Sequence, residues 1–212
     1  MRFTLWIMKD VAMSKHARVL TDAEFEALVS FVENKRNGTR NRLVVYLTHY
    51  AGMRIGEVTG LAHKDIIGRA YDNADFYVDN VGYVVHPQIQ LRKRAVKGKH
   101  ARSVIISQRM KEEIVRYFAN FDRISLEAVL CMGYKGAMSN KTMALLLRDW
   151  MHKIGLYGAS SHSGRRRYVT TLLEKGTNIR TVQQLVGHKF MTTTQLYADC
   201  LPNSMMEAVE ML

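Results

Sequence analysis

The sequence predicts an α+β domain, mostly α-helical, with a small antiparallel β-sheet that carries a basic hairpin. Three observations predict it. Apolar residues recur at helical spacing over residues 22–35, 40–50, 109–121, 141–154, 163–175 and 178–186. Between residues 64 and 107 the pattern changes to short apolar runs parted by polar or glycine turns. A chain of 212 residues that is 47% apolar can also bury one substantial core.

Taken in order, residues 1–18 read as an N-terminal arm, basic and without a sustained period, and residues 19–212 as one domain. Met13 is an alternative to Met1 as the start. Thr21 and Glu24 form a capping box for the first helix, whose apolar face carries Phe25, Leu28 and Phe31 or Val32. Asn37-Gly38 marks a turn. The second helix buries Leu43, Val44 and Leu47, and Gly52 ends it. GMRIGEVTGL (52–61) reads as a tight break and a short helix, which sets Arg54 beside a helix N-terminus and Glu57 one turn on. The β region offers strands at 66–67, 76–78, 83–85, 89–91 and 104–106, the last two joined by the cationic stretch RKRAVKGKHAR. Near the C-terminus, Gly176 separates two helices, the second capped by Asn178 and striped with Ile179, Val182, Leu185 and Val186. A short helix over 193–200 carries Tyr197. An amphipathic tail follows Pro202.

Composition bounds the function. Lys and Arg number 31 against 19 acidic residues, a net charge of +12, which suits a polyanionic partner because cations that neutralise phosphates release counterions. A basic but unattached surface is the plain alternative. The longest apolar runs, such as LVVYL, are too short to span a bilayer, and no secretory signal is visible. Cys131 and Cys200 read as free thiols, consistent with a reducing cytoplasm, and no Cys/His spacing suggests zinc.

The residues 160–199 gather two histidines, an arginine cluster and Tyr197, which is the chemistry that phosphodiester transfer without metal requires. Such a reaction needs cations on the non-bridging oxygens, an in-line nucleophile and an acid for the leaving oxygen. Arginine suits the first task through its planar, permanently charged fork. A tyrosine can be the nucleophile if neighbouring cations favour its phenolate, the free phenol having a pKa of about 10. A lysine can protonate the departing alkoxide. His162 and Arg165 are three residues apart at a helix start, hence on one face, and Tyr197 follows His188 by nine residues.

Four phrases in order then carry a resemblance: GMRIGEVTGL, AVKGKHARSVII, HSGRRRYVTTLLEKG and VGHKFMTTTQLYA. Over residues 20–200 the chain resembles the catalytic domain of the tyrosine recombinases, the phage-integrase family. That resemblance implies a DNA breaking-rejoining fold and site-specific recombination through a 3′-phosphotyrosyl intermediate, with no metal, ATP or other cofactor. It implies that Arg54 and Arg165 clamp the scissile phosphate and that His188 hydrogen-bonds it. Lys97 is the general acid toward the 5′-hydroxyl, with Lys93 and Lys99 as alternatives in the same hairpin. His162 is a proton acceptor or orienter, Tyr197 the nucleophile, and Glu57 a support for an arginine or histidine. Arg92, Lys99, Arg166 and Arg167 are expected to contact the DNA backbone. The implied partners are double-stranded DNA, further copies of the chain as a tetramer on two duplexes, and accessory DNA-bending proteins, with no membrane.

The chain also departs from the pattern. Most members carry a separate N-terminal DNA-binding domain, whereas only residues 1–21 precede the first helix here, so a short form or an inactive remnant is implied. Gly164 stands where many members have leucine, a change that the site is expected to tolerate. Two rival readings remain. A non-catalytic DNA-binding regulator would explain the charge and the helix–Gly176–helix segment, which superficially resembles a helix-turn-helix. A type IB topoisomerase would share the chemistry.

Overall fold

The first described helix starts on the predicted capping box: Thr21 Oγ1 accepts from the Glu24 amide, and Glu24 accepts from the Thr21 amide. This helix, α1 (Asp22–Glu33), turns Phe25, Leu28, Val29 and Val32 into the core. The computed structural model describes residues 17–70, 77–78, 82–91 and 102–198. Arg92, Lys97, Lys99 and the tail after Pro202 lie outside them.

Helix α2 (Gly38–Tyr50) starts two residues earlier than the spacing predicts, because Asn37 in the left-handed region (φ 60°) turns the chain directly into it. It is the centre of the fold. Leu43, Val44, Val45 and Leu47 are buried, and so are Arg40, Asn41, Thr48 and His49, so the helix is enclosed nearly all round rather than along one stripe. Helices α1, α4 (Gln108–Phe118) and α6 (Ser163–Glu174) pack on it. Ser107 caps α4, whose Met110, Ile114, Tyr117 and Phe118 face inward, and Ser139 caps α5 (Asn140–Lys153), which buries Met143, Leu147, Trp150 and Met151.

The expected single sheet is divided. Strands β1 (Ile67–Arg69), β2 (Tyr77–Val78) and β3 (Tyr83–Val85) form one antiparallel ladder in the order β1-β3-β2, with Ile67 opposite Val85 and Val78 opposite Tyr83. Strands β4 (Gln88–Leu91) and β5 (Arg102–Ile105) pair separately, with Leu91 opposite Arg102. Pro87 stands at the break and has no N–H to continue a ladder; its carbonyl instead accepts from Ile106. A further small hairpin, β6 (Met132–Gly133) with β7 (Gly136–Ala137), has too little apolar patterning to be anticipated from the sequence.

Helices α6, α7 (Ile179–Val186) and α8 (Met191–Ala198) close the described chain around their own apolar cluster of Val169, Val182 and Val186, flanked by Tyr168, Leu172, Leu173 and Tyr197. Burying each valine stabilises this unit by about 1.5–3 kcal/mol. The architecture is therefore mostly helical with small antiparallel β elements, and among the described residues no helix is long and apolar enough to cross a membrane.

Candidate active site

The helix α3 (Ile55–Thr59) is too short to be stable alone and is fixed by its own first turn. The Glu57 carboxylate accepts from the Arg54 amide at 2.8 Å and from Arg54 Nη1 at 2.9 Å. This bends the Arg54 side chain back over the helix start, where Nη2 also reaches the Gly187 carbonyl at 3.4 Å. Glu57 is only 1% exposed and serves a second cation: Arg102 donates to it through Nη2 at 2.6 Å and Nε at 3.2 Å. Burial alone would raise its pKa, but the Arg102 hydrogen bond and charge, with those of Arg54, hold the carboxyl below its usual range.

Arg165 is treated differently. It lies one turn into α6, 5% exposed, and its fork donates to two carbonyls, Gly52 O at 2.6 Å and Val186 O at 2.5 Å. Carbonyl dipoles orient a guanidinium without neutralising it. Burial, followed by repulsion from Arg54 and Arg102, lowers its pKa to about 9, against smaller opposing effects of Glu57 and Tyr197. Three guanidiniums thus converge with one carboxylate among them, and the excess of positive charge makes the cleft an anion site.

The other side of the cleft is set by the end of α7. Gly187 caps that helix in the left-handed region (φ 64°), which a side chain would resist, and the turn presents His188. The Gln183 side chain donates to the His188 carbonyl at 3.1 Å and its backbone carbonyl accepts the His188 amide, so the backbone there is fixed. His188 Nδ1 pairs with Thr194 Oγ1 on α8 at 2.9 Å, leaving Nε2 as the nitrogen for a ligand. Burial and the charges of Arg165, Arg54 and Arg102 lower the His188 pKa to about 4, so the ring is neutral near pH 7. Tyr197, one turn beyond Thr194, lies nearly parallel to the imidazole, with ring centroids 6.1 Å apart and 12° between planes.

The structure therefore brings Arg54, Glu57, Arg165, His188 and Tyr197 into one cleft. His162 sits at the N-cap of α6 with its amide on Ser160 Oγ at 3.2 Å, and its side chain is exposed. Arg166 and Arg167 are spent elsewhere: they donate to the carbonyls of Ala17 and Leu20, each at 2.8 Å, and Arg167 pairs with Asp22. They tie the segment before α1 to α6. Arg166 also lies 5.7 Å from the centroid of the Tyr197 ring. Sequence reasoning missed Arg102 and Thr194. Nor did it show why glycine stands at 164: a Cβ there would lie 2.5 Å from His49 Nδ1 and 2.6 Å from Thr48 Oγ1. Glycine is what lets α6 approach α2 and brings Arg165 to the cleft.

The chain is 28% identical over 193 residues to the tyrosine recombinase XerA of Pyrococcus horikoshii, a match covering 90% of this chain and 60% of that one. It is 29% identical over 180 residues to the tyrosine recombinase XerC of Lactobacillus leichmannii, covering 81% and 54%. The chain thus spans between half and two thirds of the length of these relatives. Among solved structures, the fold is similar to a XerA recombinase (TM-score 0.66, 21% identity, 93% of this chain and 64% of that one). It is also similar to the Tn1549 transposon integrase in complex with a circular intermediate DNA (TM-score 0.67, 19%, 94% and 67%). The catalytic domain of bacteriophage HP1 integrase matches over nearly its whole length (TM-score 0.56, 18%, 92% and 95%). With residues 18–203 also matching the phage integrase family as a whole, the chain belongs to that family.

Proposed function

We propose that the chain is a site-specific DNA recombinase that breaks and rejoins strands through a 3′-phosphotyrosyl intermediate. The observation that carries this reading is the buried Arg165, held by carbonyls and surrounded by Arg54 and Arg102, with Glu57 the only carboxylate paired to them among the described residues. A phosphodiester supplies the missing negative charge. In the reaction the Tyr197 oxygen bonds to phosphorus as the bond to the 5′ oxygen breaks. His162 takes the phenol proton, and Lys97 gives a proton to the departing 5′ oxygen. Arg54 and Arg165 hold the non-bridging oxygens, and neutral His188 donates to one of them from Nε2. The tyrosyl ester retains the energy of the broken bond, so the reverse attack by a 5′-hydroxyl reseals DNA with neither ATP nor metal.

The partner in this reading is double-stranded DNA, with Arg92 and Lys99 on its backbone. Strand exchange between two sites calls for a tetramer of the chain on two duplexes, assisted by DNA-bending proteins. The DNA complex of the Tn1549 integrase supports the choice of partner. The product class, integration, excision or inversion, follows from the arrangement of the two sites. A pure DNA-binding regulator would have no use for an uncompensated arginine beside a histidine and a tyrosine.

Covalent trapping on nicked duplexes that carry candidate sites is the test. Wild-type protein should leave an SDS-resistant adduct that persists in EDTA, and Tyr197→Phe should leave none. Retained DNA binding with no adduct from wild-type protein at any site would refute the enzyme reading.

A further inference from the structure

Arg102 has no catalytic or DNA-contacting role in the reading above, yet its guanidinium makes three hydrogen bonds in the cleft. It is the first residue of β5, paired with Leu91, and its side chain is 8% exposed. Its guanidinium reaches two other elements. Nε and Nη2 grip both oxygens of Glu57 on α3, and Nη1 donates to the Leu185 carbonyl in the last turn of α7 at 2.8 Å. Its aliphatic stem also fills the space over Gly187, where a Cβ would lie 2.5 Å from Arg102 Cδ.

We propose that Arg102 is a positioning residue of the phosphate clamp, acting on Arg54 through Glu57 and on His188 through the Leu185–Gly187 turn. Each Glu57 oxygen is shared: Oε1 between Arg54 Nη1 and Arg102 Nε, Oε2 between the Arg54 amide and Arg102 Nη2. The orientation of Arg54 is thereby set relative to β5. The same guanidinium fixes the turn whose Gly187 carbonyl receives Arg54 Nη2 and whose next residue is His188. A planar fork is required, since an ammonium group is a point donor and cannot span Glu57 and Leu185 together.

The inference rests on the recombinase reading, and the test separates the two. Arg102→Lys retains charge and stem but loses the fork. At saturating DNA its single-turnover rate of adduct formation should fall by about 100-fold, the usual consequence of misplacing catalytic groups by about 1 Å. Its DNA affinity should stay within about twofold, and the slope of log affinity against log salt should not change, whereas loss of a direct phosphate contact would lower that slope by about one. Guanidinium ion in the medium should partly restore the rate of Arg102→Ala and leave Tyr197→Phe inactive. A folded Arg102→Lys that forms adduct at the wild-type rate overturns the positioning role alone. So does a reduced salt slope, which would make Arg102 a phosphate contact. Absence of adduct from wild-type protein overturns the recombinase reading, and the role of Arg102 with it.

Discussion

Replacing Glu57 by glutamine tests the electrostatic design of the cleft without touching a group that meets the phosphate. The carboxylate accepts four hydrogen bonds, two from Arg54 and two from Arg102, while being 1% exposed. A glutamine keeps one acceptor oxygen and turns an NH2 group toward the remaining donors. Breaking a buried ion pair from one side costs about 3–5 kcal/mol. Arg54 is 31% exposed, so solvent screens its share, and the lower end, about 3 kcal/mol, is the expectation here. In a chain of this size that corresponds to roughly 6–12 °C in Tm.

Urea unfolding reads the effect as a lower midpoint at unchanged slope. Acid supplies a second check. The Glu57 carboxyl titrates below its ordinary value of 4.5 in the folded protein, so its contribution is complete above that value and is lost as pH falls through the lower folded value. The gap between wild type and Glu57→Gln should therefore narrow in strong acid. A loss below about 1 kcal/mol at neutral pH, within the range of an exposed ion pair, would refute the bridge as the element that holds these two arginines.

Two further predictions concern the support behind the cleft. Gly164→Ala drives a methyl group into His49 and Thr48, and should destabilise the fold by about 1–3 kcal/mol, as overpacking does; an unchanged urea midpoint would show that α6 can back away from α2 at no cost. His49, 2% exposed, has its pKa lowered to about 4, chiefly by burial, against 6.5 for a free imidazole. The unfolded chain thus takes up a proton that the folded one refuses, and stability should fall as pH drops from 6.5 to 4, by up to about 3 kcal/mol from this group. NMR titration of its ring checks the premise, and a folded-state midpoint near 6.5 would contradict it.

Helix spacing made much of this site legible. His162 and Arg165 share a helix start, Gly187 marks the turn before His188, and the nine residues to Tyr197 carry the chain through one loop and most of α8. The three consecutive arginines 165–167 are another matter. Successive helical residues point about 100° apart, so one of them can enter the cleft while its neighbours face the chain before α1. Arg102 was hidden by composition, as one of six cations in residues 92–102. Strand alternation could have exposed it: Arg102 shares a face with Val104 and Ile106, which are buried, and a cation on an inward face needs a partner. The partner, Glu57, lies 45 residues upstream, a contact that no local pattern encodes.

Under the proposed recombinase reading, the division of partners among the three arginines has a consequence for catalysis. A carboxylate on Arg165 would pin it but cancel its charge and compete with phosphate. Carbonyls of Gly52 and Val186 pin it and leave the charge intact, while Glu57, the one buried carboxylate among the described residues, goes to Arg54 and Arg102. Three guanidiniums against Glu57 leave an excess of two positive charges; burial first, and then the charges of these arginines, lower the pKa values of Arg165 and His188. A ground-state phosphodiester brings one negative charge. The pentacoordinate phosphorus formed by phenolate attack carries two, spread over the oxygens that the arginines hold. The cleft is therefore better balanced by the transition state than by the substrate, and only such differential stabilisation accelerates the chemical step. In the proposed reaction, the excess positive charge is met most fully when the Tyr197–phosphorus bond forms.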